Sequence, residues 1–133
     1  MTDLIEVRTE DLQGWQLAWA VGKAEGLDVF LVPPQYGNPW RVFARHQASV
    51  TEHTALFNPH ENWALGGGLQ DRYVRTLERN ARKETVAITW RPGSAREGEG
   101  WGDTGLQAVC RSVVDLIVGD TVQVPKELIT CPA

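Results

Sequence analysis

The chain has little sulfur: two cysteines, Cys110 and Cys131, and one methionine in 133 residues. The cysteines stand far apart and lack metal-ligand spacing, which points to reduced thiols in a cytosolic protein and away from a disulfide framework. No apolar run approaches the length of a membrane span, and the opening Met-Thr-Asp-Leu-Ile-Glu has neither a basic nor an apolar signal region. Positive charge is also short. Thirteen Lys and Arg against seventeen Asp and Glu leave a net charge of −4. That argues against a general affinity for DNA or RNA, which needs a positive footprint, but not against a local pocket for a small anion. His53 and His60 have no carboxylate or thiol at zinc-ligand spacing, so no metal is expected. No cofactor is expected either. Gly66-Gly67-Gly68 is not followed by the Lys-Ser or Lys-Thr of a P-loop, and no strand–glycine–helix unit surrounds it as in a dinucleotide fingerprint. With no repeat and no linker, residues 1–133 read as one domain, long enough to bury a core.

Aromatic surface and glycine are present in quantity. Six tryptophans exceed what a core this small requires and leave some for a binding site. The stretch from Phe57 to Gly68, Phe-Asn-Pro-His-Glu-Asn-Trp-Ala-Leu-Gly-Gly-Gly, joins a proline turn, an Asn-Trp pair and three glycines. Glycine permits close backbone approach and positive φ, so this stretch reads as a loop that receives a ligand.

Around it the pattern predicts an α+β fold: two amphipathic helices on a small antiparallel sheet of about four strands, with a cleft built by loops. Thr9 caps a first helix, in which Trp15, Ala18, Trp19 and Gly22 follow helical spacing until Gly26 stops it. Leu27 to Val32 and Trp40 to Arg45 form a hairpin across the turn Gln35-Tyr36-Gly37-Asn38-Pro39. Arg41 and Arg45 share a face, as a solvated strand edge or as a holder for an anion. His46 to Leu56 reads as a connecting loop. Leu69 to Glu84 fits helix and strand equally, and Arg79, Arg82 and Lys83 suit a solvated turn or helix end. Thr85 to Trp90 alternates cleanly, with Val86, Ile88 and Trp90 on one side. Pro92 to Gly100 reads as a loop. A second helix then carries Leu106, Val109, Cys110, Val113 and Ile117 on one stripe up to Gly119, and Val122 to Pro125 is extended.

Three pieces in the same order resemble the NinX-like family of small phage proteins. The first is Leu12-Gln13-Gly14 with Leu17 to Gly26. The second is Asn58-Pro59-His60-Glu61-Asn62-Trp63-Ala64-Leu65-Gly66-Gly67. The third is Thr104 to Arg111 closing with Gly119-Asp120-Thr121-Val122-Gln123-Val124-Pro125. The sequence departs from the family's usual proline at Gly68 and Gly105 and is longer between Arg79 and Gly100. The resemblance implies a phage origin and the cytoplasm of an infected bacterium, and it implies no reaction.

The chemistry available at these pieces is that of a binder. Thr104 or Asp103 would cap the second helix, and the free N–H groups there with the helix dipole attract an anion. If Asn58, Asn62, Trp63, Gly66 and Gly67 face that helix start, the result is a cleft with amides, an indole and backbone donors, suited to a base joined to phosphate. Trp101, Asp71, Arg72 and Arg111 complete the expected ligand set, with Arg72 or Arg111 facing the phosphate. The reading is a phage accessory protein that binds a small anionic, nucleotide-like molecule without converting it, in its most concrete version an anti-defence sponge for a host immune signal. An enzyme hydrolysing a nucleotide, with Asp71, His60 or Asp103 as acid–base groups, is the alternative. A protein-docking inhibitor that uses the surplus tryptophans is a further one. Neither duplex nucleic acid nor membrane is an expected partner. Self-association is left open, with the wide apolar stripe of the first helix as a hint.

Overall fold

The computed structural model describes residues 3–47, 51–82 and 84–130. Cys131, Lys83 and residues 48–50 of the expected connecting loop lie outside the described residues. The architecture is α+β. Its strands, however, form three small antiparallel sheets and not one: β1 (Leu4–Arg8) with β8 (Thr121–Pro125), β2 (Asp28–Val32) with β3 (Arg41–Gln47) and β4 (Glu52–Leu56), and β5 (Val74–Arg79) with β6 (Thr85–Thr89) and β7 (Gly98–Gly102). Helices α1 (Gly14–Ala24), α2 (Trp63–Tyr73), α3 (Gly105–Ile117) and a short α4 (Glu127–Thr130) join and cover them.

Helix α1 starts later than the sequence suggests. Thr9–Asp11 forms a 3₁₀ turn, and the Thr9 hydroxyl donates to the Gly119 carbonyl at 2.5 Å instead of capping. Thr9 therefore ties the chain's start to the end of α3. Residues Leu17 to Gly22 are all buried, so the stripe that hinted at self-association belongs to the core. Gly26, at φ 72°, ends the chain's turn out of α1 as expected.

The hairpin forms as read, with Phe30 opposite Phe43 and Asp28 opposite Arg45. Beyond it the expected loop from His46 to Leu56 is instead strand: β4 pairs with β3, Phe43 to Leu56 and His46 to His53. That makes β3 a central strand and removes the edge reading of Arg41 and Arg45.

The glycine-rich stretch is helical. Asn62 caps α2, its Oδ1 accepting from the Ala64 N–H at 2.9 Å, and Gly66 to Gly68 lie in the body of the helix. Each glycine there costs about 1 kcal/mol against alanine, and tertiary packing offsets it. A Cβ at Gly66 would stand 2.7 Å from the Pro59 carbonyl oxygen and overlap the Leu106 side chain, so α2 meets α3 at a bare point. The ambiguous stretch after Leu69 holds both readings in turn, helix to Tyr73 and strand from Val74.

The expected loop up to Gly100 also differs. Gly98, Gly100 and Gly102 alternate along β7 and are all buried, with Glu99 and Trp101 exposed between them. A Cβ on Gly100 would stand 2.3 Å from the Ser112 backbone nitrogen and 2.7 Å from the Ala108 carbonyl. Helix α3 thus rests directly on strand backbone. The Thr89 hydroxyl, buried in the next strand, is 2.9 Å from that of Ser112. This close packing decides which way β6 faces. Small Thr85, Ala87 and Thr89 point at α3, and Val86 and Ile88 point away, with Trp90 continuing that outer side.

Candidate functional site

The site builds outward from the start of α3. Thr104 caps it, with Oγ1 accepting from the Gln107 N–H at 3.2 Å, while the Gln107 side chain accepts from the Asp103 N–H at 3.1 Å. One capping oxygen covers one of the first-turn donors. The N–H groups of Gly105 and Leu106 occupy the first two helical positions, where an α-helix has no acceptor of its own.

Trp63, the first residue of α2, lies against this point. Its Cη2 would be 3.4 Å from a Cβ at Gly105, with the Leu77 side chain beside it. The indole is 57% exposed, and among the described residues no ring or cation stacks on it. So Trp63 lies at the α3 start, beside Gly105. Asn58 and Asn62 sit directly before it but are engaged with each other: Asn62 Nδ2 donates to Asn58 Oδ1 at 3.4 Å, and Asn58 Nδ2 to Glu61 at 3.2 Å. Gly66 is buried at the helix contact, and Gly67 has open space above it.

The remaining expected residues fall elsewhere. Asp71 is exposed on α2. Arg72, on the side of α2 away from α3, pairs with Glu25 at 2.7 Å, whose other oxygen accepts from the Tyr73 hydroxyl at 2.6 Å. Burial, then that hydrogen bond, raises the Tyr73 pKa. Arg72 borders an apolar cavity of about 180 Å³ between α2 and β3–β4, lined by Leu65, Leu69 and Phe57.

Trp101, Asp103 and Arg111 share the opposite flank of α3. There, two adjoining concavities of about 240 and 270 Å³ run between the 3₁₀ turn, β7 and α3. Arg111 is a structural strut: Nε donates to the Leu12 carbonyl at 2.8 Å and Nη1 to that of Trp101 at 2.7 Å. Burial lowers its pKa, opposed by Asp103 and Asp11 nearby. The groove is mainly acidic, with Glu10, Glu99, Asp115 and Asp120 against Arg8 and Arg111, and Arg8 pairs with Glu10 at 2.8 Å. Its field disfavours an anion.

The acid–base candidates do not converge. His60 packs edge-on against Trp15 at 5.2 Å with Nδ1 buried and unpartnered. Burial lowers its pKa, and Glu61, 3.9 Å from Nε2, partly restores it. Cys110 is buried in α3, and burial pushes its thiol up to about 12, which keeps it protonated and unreactive. Among the described residues no three His, Cys, Asp or Glu are grouped to hold a metal ion, and no helix is long and apolar enough to cross a membrane.

Comparison with known families decides the origin. Residues 8–115 match the sequence model of a family described as Bacteriophage P22, NinX. The chain belongs to the NinX family. The match runs from the end of β1 into the last turns of α3, and so spans α1, α2, β7 and most of α3. No curated protein matches the chain.

Sequence reasoning gave the approach of Trp63 to the α3 start only as a condition, and it missed Leu77 beside Gly105 and Leu106 against Gly66. It also missed the role of Gly98, Gly100 and Gly102, although their spacing of two was a visible sign of a strand with one bare face.

Proposed function

We propose that this NinX protein is a phage accessory protein that binds a small anionic, nucleotide-like ligand without converting it, against the exposed side of Trp63 and the first turn of α3. The observation that carries this reading is the exposed indole of Trp63 lying on Gly105 at that helix start. A base stacked on an indole contributes about 1–3 kcal/mol, and a hydrogen bond from backbone N–H to a charged oxygen about 1.5–3. Three such contacts near their upper values sum to about 9 kcal/mol, the scale of micromolar affinity. Gly105 has no side chain to keep a phosphate or carboxylate from the N–H groups, and the dipole of a 13-residue helix favours the negative charge. Asn58 and Asn62 act here by fixing the turn that presents Trp63, while Arg111 holds β7 to the turn at Leu12.

In a phage-infected cytoplasm such a binder acts by stoichiometry. It removes a host signal nucleotide from circulation, as an anti-defence sponge would. Catalysis has less support because Asp71, His60 and Asp103 lie on separate surfaces. The test is to incubate the purified protein with linear and cyclic nucleotides, remove unbound material by filtration, denature the protein and weigh what is released. A nucleotide returned intact supports the binder, a changed mass supports the hydrolase, and no retention with no conversion overturns both.

A further inference from the structure

The outer face of the β5–β6–β7 sheet carries apolar side chains, half-buried at Val86 and Ile88 and exposed at Trp90 and Trp101, that stand apart from the core among the described residues. Val86 and Ile88 on β6 face outward, Trp90 follows on the same side at 41% exposure, and Trp101 on β7 is 44% exposed. In register they form two rows, Glu78–Val86–Trp101 and Thr76–Ile88–Glu99. None of the four apolar residues packs against the hydrophobic core. The inversion has a cause: the glycines of β7 and the small residues of β6 bring α3 so close that larger side chains fit only on the other side.

We propose that this face is where two copies of the chain associate, sheet against sheet. Charge selects the occupant. Glu78 and Glu99 lie in the rows, while Arg82 flanks them at one end and Arg91 follows Trp90 at the other. Among the described residues none of these four makes an ion pair. With Glu84 also bordering it, the patch carries both signs around an apolar centre, three acids against two arginines, so a twofold axis sets each arginine near a glutamate of the other copy. A nucleic acid strand would stack on Trp90 and Trp101 but meet glutamates between them, which repel phosphate. An acidic partner meets the same obstacle. Trp101 also borders the groove beside α3, but the rest of the dimer face lies on the side of the sheet away from α3, so it does not depend on ligand binding at Trp63.

The mass of the full chain in solution, measured by sedimentation at tens of micromolar, tests this. The expected value is twice 14.8 kDa, free of absorbance from nucleic acid. Ile88→Lys and Trp101→Glu, each shown folded by circular dichroism, are expected to weaken association about 30-fold or more, as loss of a central anchor does. A wild-type monomer, a larger species carrying nucleic acid, or a dimer unaffected in both folded variants overturns the proposal. If the variants do not fold, hydrogen exchange of the wild type at low and high concentration reads the same surface. Concentration-dependent protection at 86–90 and 99–101 supports it, and protection elsewhere overturns it.

Discussion

The two three-stranded sheets solve the same problem in opposite ways. In β2–β3–β4 the core side holds Val29, Val42 and Ala44, and the outer aromatics are covered by the chain's own arginines. The Arg45 guanidinium lies 4.7 Å over Phe30 and is anchored by Asp28 and Glu52, and Arg41 lies 5.5 Å over Phe43. In β6 and β7 the core side holds glycine, alanine and threonine, with only β5 adding Val74 and Leu77, and the outer Trp90 and Trp101 have no such cover among the described residues. Alternation in a strand therefore shows that two faces differ, not which face is inside. The choice is made by the packing partner: where a helix lies directly on the backbone, small residues take the inner side.

The largest effect should come from filling that contact. Gly100→Val drives a branched side chain into the α3 backbone and should cost about 3 kcal/mol or more in urea unfolding, while leaving β2–β3–β4 chemistry untouched. Arg111→Ala removes two charge-assisted hydrogen bonds to backbone carbonyls, one of them to β7. It should lower stability by about 2 kcal/mol, and Arg111→Lys, with one donor point instead of a fork, should recover only part. In the other sheet, Arg45→Ala uncovers Phe30 at an exposed site and should cost under about 1 kcal/mol. If it equals Gly100→Val in cost, the contrast between the sheets fails.

The turn between β4 and α2 gives a pH signature. Burial places the folded His60 pKa below 6.5, so the unfolded chain takes up the proton first as pH falls. This contribution to stability is present above pH 6.5 and is lost as pH drops through the folded value, at no more than about 1.4 kcal/mol per pH unit. His60→Phe should remove that slope from the difference between the two unfolding curves. The smallest effect has the opposite sign. Gly67 has open space and lies in the body of α2, so Gly67→Ala should raise stability by about 0.5–1 kcal/mol.

Periodicity made α1, α3 and the β2–β3 hairpin legible, because their apolar stripes face the core in the ordinary way. The helical state of Gly66 to Gly68 was not legible, since intrinsic propensity opposes it and the Asn62 cap with the Leu106 contact prevails. Strand β7 was hidden for a similar reason: a run rich in glycine and charge resembles a loop until its spacing of two is set against a helix. For the site, the pairing of Trp63 with the α3 start could be stated as a condition from sequence. The position of Arg111 could not, because its acceptors are carbonyls 99 and 10 residues away.

The most direct test sets the two exposed tryptophans against each other. Trp63→Ala and Trp101→Ala should be run beside the wild type in the nucleotide-retention experiment, each checked for folding. The account predicts that Trp63→Ala loses the retained nucleotide while Trp101→Ala keeps it. Retention by Trp63→Ala, or loss confined to Trp101→Ala, would contradict a site at the start of α3.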